Sequence, residues 1–76
     1  MDSLAKNITF DEKMLCCELQ DGRIISVPLE WYPRLYHASQ EDRNSWRLIG
    51  GGVGIHWPAL GEDLSVKGFL AGAEDY

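Results

Sequence analysis

Apolar and polar residues alternate along much of the first third of the chain. Ile8 and Phe10 are apolar and β-prone, as is the run Met14 to Leu19, and the polar triplet Asp11-Glu12-Lys13 between them reads as a tight turn or bulge. In an extended strand Leu15, Cys17 and Leu19 share one face, while Cys16, Glu18 and Gln20 share the other. Asp21-Gly22 suits the φ > 0 positions of a two-residue hairpin turn. Arg23 to Leu29 is the return strand, with Ile25, Val27 and Leu29 on one face and Ile24 and Ser26 on the other. Pro28 has no N–H to give a ladder, so this strand ends there or lies at an edge.

The period then changes. Residues 31–37, W-Y-P-R-L-Y-H, predict one or two helical turns, with Pro33 in the first turn, where its missing N–H is harmless. Ser39-Gln40-Glu41-Asp42 has the spacing of a capping box. It predicts a second helix at about residues 40–46, with Glu41 and Asp42 in its first turn and Arg43 and Arg47 toward its end. Leu35, Ala38 and Trp46 are the expected inward residues. A second hairpin is predicted from strands near 46–49 and 53–57, joined through Gly50-Gly51-Gly52; Val53, Ile55 and Trp57 alternate with Gly54 and His56. The glycine run is not a phosphate loop: no G-x-x-x-x-G-K-[ST] is present, and the following residues are strand-like. Glu62 and Asp63 precede a short final helix over Val66 to Ala71 capped by Ser65, and Ala73 to Tyr76 is expected to fray.

This pattern predicts an α+β fold: a small antiparallel sheet from two β-hairpins, with one or two short helices packed on one face. The 76 residues make a single domain, 1–76, with its core at about 8–72. Composition narrows the function. The net charge of −5, from twelve acids and seven lysines and arginines, argues against autonomous nucleic-acid binding and is compatible with a basic protein partner. No apolar run is long enough to span a bilayer, and M-D-S-L-A-K-N lacks a signal-peptide pattern. The expectation is a cytoplasmic protein with free thiols, because Cys16 and Cys17 are adjacent and would point to opposite faces of a strand. No C-x-x-C or H-x-x-x-H spacing supports a metal site, and neither a metal nor a cofactor is expected.

The costly residues sit in two blocks, P-L-E-W-Y-P-R-L from Pro28 and I-H-W-P-A-L-G-E-D-L-S-V from Ile55. Trp needs a large pocket and a partner for its indole N–H, and Pro fixes φ. With S-Q-E-D-R-N-S-W between them, and the G-F-L that follows Lys67, these blocks resemble the bacterial domain of unknown function 2442 family over roughly residues 10–72. The family's second block usually reads W-P-x-L-D-E-D-[LI]-S, and Gly61 stands where its first Asp would be. The family often has Thr-Pro in place of Ser39-Gln40, a swap that keeps an N-cap. The resemblance implies a small α+β module without assigned catalysis, whose gene often lies beside that of another short protein in an arrangement similar to toxin–antitoxin pairs. Some longer relatives append a helix-turn-helix domain; none is expected after Tyr76 in this chain, so DNA binding is not expected to carry over.

Trp31, Tyr32, Tyr36, Trp46 and Trp57 are too many large aromatics for so short a chain to hide, since each buries about 150–250 Å². Some are therefore expected at the surface. Arg34 lies among them, and Arg with aromatics is the composition of both an interface hot spot and an internal stacked ion pair. Glu62 and Asp63 either complement the following helix or contact Arg34, Arg43 or Arg47, within the fold or on a partner. The leading functional expectation is a non-catalytic protein-interaction module, with an antitoxin-like role beside a neighbouring small, basic protein as its specific form. The interaction candidates are Trp31, Tyr32, Arg34, Glu62 and Asp63. Two alternatives are a dimerising regulatory or sensor domain and, last in order, a small hydrolase using His56 and Asp63.

Overall fold

Two three-stranded antiparallel sheets meet across one apolar core in the computed structural model, which describes residues 3–71. The first sheet runs β1 (Ala5–Phe10), β2 (Met14–Leu19), β3 (Ile24–Pro28) in that order. A 3-10 turn (Leu29–Trp31), α1 (Pro33–Tyr36) and α2 (Gln40–Asn44) lead to the second sheet. That sheet is β4 (Arg47–Ile49), β5 (Gly54–Trp57) and β6 (Glu62–Ser65), followed by α3 (Val66–Ala71). The arrangement is the expected α+β class, with the strands divided between two sheets.

The face assignments of the first hairpin hold. Leu15, Cys17 and Leu19 of β2 are buried, as are Val27 and Leu29 beyond it, while Ile24 is exposed. The Asp11–Lys13 triplet is a turn: the Asp11 carboxylate accepts from the Lys13 and Met14 amides at 2.8 and 2.7 Å, and Leu29 N–H donates to the Lys13 carbonyl at 2.8 Å. The β2–β3 connection differs from the prediction. Gly22 N–H donates to the Leu19 carbonyl at 3.0 Å, and the Leu19 amide donates to the Arg23 carbonyl at 2.7 Å, so the loop holds three residues, Gln20 to Gly22. A two-residue type I′ turn needs φ > 0 at both central positions, whereas here only Gly22 has it (φ 95°).

Capping decides where the helices begin. Pro33 is the first residue of α1, Ser39 Oγ accepts from Asp42 N–H at 3.1 Å, and Ser65 Oγ accepts from Gly68 N–H at 2.9 Å. The second helix stops at Asn44, two residues short of the predicted end, so Arg47 belongs to β4 rather than to a helix terminus. The larger correction is β6. Glu62 and Asp63 do not cap α3: they pair with Trp57 and His56 as part of a third strand. Only Leu64 in that strand has an apolar side chain, so its strand character comes from pairing with β5 and not from local pattern. Ala73 to Tyr76 lie outside the described residues.

The core draws on both sheets and the short helices, including Leu15, Leu19, Leu35, Ile55, Trp57 and Phe69, and among the described residues no polar side chain is buried with them. The three-glycine turn before β5 docks on the start of β1, where Ala5 N–H donates to the Gly52 carbonyl at 2.7 Å.

Candidate functional site

The two Trp-Pro blocks come together, but not through the charges the sequence suggests. The 3-10 turn buries Leu29 and leaves Trp31 36% exposed. Tyr32 is half-buried, its ring edge-on to Phe69 at 6.1 Å. Arg34, one residue into α1, donates from Nη1 to the Gly61 carbonyl at 3.0 Å. Arg34 is thus fastened to the second block through main chain, and among the described residues no arginine forms an ion pair with Glu62 or Asp63.

Strand geometry separates those two acids. Adjacent residues on β6 point to opposite faces. Glu62 pairs with Trp57 and is half-buried, whereas Asp63 lies opposite His56 on the outer face and is exposed. Trp31, Tyr32 and Arg34 share the short helical segment that Arg34 fastens to Gly61, and Asp63 belongs to another neighbourhood. In the latter, Arg47 of β4, His56 of β5 and Asp63 of β6 stand in one cross-strand row. His56 Nδ1 contacts the Asp63 carboxylate, and the imidazole is 30% exposed. A carboxylate on Nδ1 fixes the tautomer and ring orientation. Among the described residues no hydroxyl or thiol hydrogen-bonds to this ring, so the nucleophile–base link of covalent catalysis is not formed there. Nor, among them, do three or more His, Cys, Asp or Glu side chains converge as metal ligands would.

The five large aromatics divide as the chain length requires. Trp57 is fully buried and donates from Nε1 to the Arg43 carbonyl at 2.8 Å. Trp46 and Tyr32 are half-buried, while Trp31 and Tyr36 are exposed, Tyr36 by 47%. Sequence reasoning missed the setting of Tyr36. It borders a cleft of about 480 Å³ with Glu12, Lys13, Met14, Pro28 and Glu30. A second cleft of about 520 Å³ lies on the other side of the Asp11–Lys13 turn, between it and α2, and Glu12 lines both. Glu12 and Glu30 are 18 positions apart in the chain, and only the pairing of β2 with β3, Met14 opposite Pro28, brings them to one place.

The cysteines differ sharply. Both are free; Cys17 is buried, and burial pushes its thiol up to about 11, whereas Cys16 is half-buried on the outer face, its Sγ 3.3 Å from Ser26 Oγ. Iodoacetamide at pH 8 is expected to alkylate Cys16 in the folded protein and to spare Cys17 until denaturant is added, since a thiol with a raised pKa supplies little thiolate. Peptide mass mapping checks this, and equal labelling of the two thiols would contradict the burial of β2.

These features define a small α+β domain with an aromatic- and arginine-bearing surface and two clefts that share Glu12. The chain belongs to the family described as protein of unknown function DUF2442, whose sequence pattern matches residues 5–75. A solved structure similar to it is a protein of unknown function from Rhodospirillum rubrum ATCC 11170, with 26% sequence identity and a TM-score of 0.79, over 93% of this chain and 88% of that one. No functionally curated protein matches the chain. Among the described residues no helix is long and apolar enough to cross a membrane.

Proposed function

We propose that this chain is a non-catalytic protein-interaction module of the cytoplasm, whose specific form is an antitoxin-like partner for a small, basic protein encoded beside it. The observation that supports this reading is the exposure of Trp31 and Tyr36 on a short helical segment that also carries Arg34. Exposed Trp and Tyr with Arg are the residue types that dominate interface energetics. The Arg34 bond to the Gly61 carbonyl holds this segment against the second block, so the surface is presented preformed and loses little entropy on binding.

Co-expression with the product of the adjacent gene, followed by gel filtration, tests the proposal. The two chains are expected to elute together, and Trp31→Ala is expected to weaken the complex by at least about tenfold, the range of a modest hot spot. Separate elution of the two wild-type chains removes the proposal's support. A complex indifferent to Trp31→Ala moves the interface off this surface.

A further inference from the structure

We infer that the cleft between the Asp11–Lys13 turn and Tyr36 receives an arginine side chain from an extended segment of the protein partner, an inference that rests on the interaction-module reading and names the chemistry it recognises. The floor of the cleft is apolar: Met14 and Pro28, which are cross-strand partners, and the exposed ring of Tyr36. Its rim carries Glu12 and Glu30, with Lys13 as the one cation on the lining. Both glutamates are exposed, and among the described residues neither forms an ion pair.

Four of the chain's seven lysines and arginines are engaged elsewhere, Lys6 with Glu18 among them. Arg23 is held by Asp21 at 2.8 Å, Arg34 by the Gly61 carbonyl, and Arg43 by the carbonyls of Leu35 and Tyr36 at 2.7 and 2.6 Å. With a net charge of −5 overall, the counter-charge for Glu12 and Glu30 is supplied most readily from outside. Asp11 adds to the field. Accepting from two backbone amides lowers its carboxyl below the ordinary value, so it stays ionised at neutral pH.

The cleft is also built rigidly. The Asp11 carboxylate closes the turn that carries Glu12, and the Leu29 amide ties the Lys13 carbonyl to the segment that carries Glu30. Arginine fits such a site. Its apolar stem can lie on Met14 and Pro28, its planar guanidinium can stack on Tyr36, and its forked N–H groups can meet the two carboxylates. A volume of about 480 Å³ leaves room for the flanking backbone as well.

The test is a 1H–15N correlation titration of the full chain with the blocked pentapeptide Ac-Ser-Gly-Arg-Gly-Ser-NH2 and with its citrulline counterpart, which keeps the shape and removes the charge. Saturable shifts are expected at Glu12, Met14, Glu30 and Tyr36. Citrulline should bind at least tenfold more weakly, as should a Glu12→Gln/Glu30→Gln double variant whose unchanged peak dispersion shows it folded. Equal binding of the two peptides, shifts centred elsewhere, or no saturable binding overturns the inference. The same double variant in the co-expression experiment separates the two claims. A complex that survives the substitutions overturns the cleft and leaves the module reading standing. Arginine binding in a chain that forms no complex does the reverse.

Discussion

Gly52→Ala is expected to be among the most damaging single substitutions in this domain, lowering stability by about 3–5 kcal/mol, from backbone strain of about 1–3 and steric overlap of a similar size. Gly52 has φ +114°, and a Cβ there would sit 2.5 Å from the Ala5 carbonyl oxygen, 2.9 Å from the Ala5 nitrogen and 3.2 Å from Leu4 Cβ. Two of those three atoms are backbone, so no side-chain rotation relieves the overlap. The strand would have to move, and with it the Ala5 N–H bond to the Gly52 carbonyl that joins the first sheet to the second. Small domains have total stabilities near the lower end of about 5–15 kcal/mol, so such a loss leaves much of the protein unfolded under mild conditions. Gly51→Ala is the control. Its φ is +72°, but a Cβ meets nothing within 4 Å, so only conformational strain of about 1–2 kcal/mol is expected. Urea unfolding followed by circular dichroism compares the two. Equal midpoints would mean that the Gly52–Ala5 approach is not the joint between the sheets.

What the chain reveals before folding is what depends on near neighbours. The faces of β2 and β3 follow from period-two alternation, and the starts of α2 and α3 follow from Ser39 and Ser65, each of which caps an amide three residues on. The β2–β3 loop is one residue longer than Asp21-Gly22 predicts because that dipeptide fits two turn types, and the choice is made by the Leu19–Arg23 pairing around it. The strand at Glu62–Ser65 was illegible for a different reason. Its four residues include one apolar side chain, and only β5 beside it gives them a ladder. That strand also explains the candidate site. Once Glu62 and Asp63 alternate across a sheet they cannot act as one acidic pair, and Asp63 is given to His56 while Arg34 takes a main-chain carbonyl. Of the cleft glutamates, Glu30 lies in the P-L-E-W-Y-P-R-L block and Glu12 in no motif; their proximity is a product of strand register.

Trp57 provides the second large effect. Trp57→Ala is expected to cost about 3–5 kcal/mol, because its side chain is fully buried and its removal leaves a cavity the surroundings fill only in part. The ring meets Phe10 edge-on at 6.5 Å, so it packs one sheet against the other. Its indole N–H reaches the Arg43 carbonyl at 2.8 Å, which ties β5 to α2. Trp57→Phe keeps most of the packing and removes the donor, leaving the Arg43 carbonyl without that partner at a cost of about 1–3 kcal/mol. The Arg43 side chain extends the same connection, since its guanidinium donates to the Leu35 and Tyr36 carbonyls at the end of α1. Main chain and side chain of one residue therefore hold α1, α2 and β5 together. Trp57→Phe and Arg43→Ala are expected to be non-additive by about 0.5–3 kcal/mol, because each loosens the placement of α2 on which the other's hydrogen bonds depend. A double-mutant cycle by urea unfolding, read at 222 nm since the indole is altered, measures that coupling. Strict additivity would show that the indole bond and the guanidinium clasp act independently, and that packing of the Trp57 ring alone fixes the second sheet against the helices.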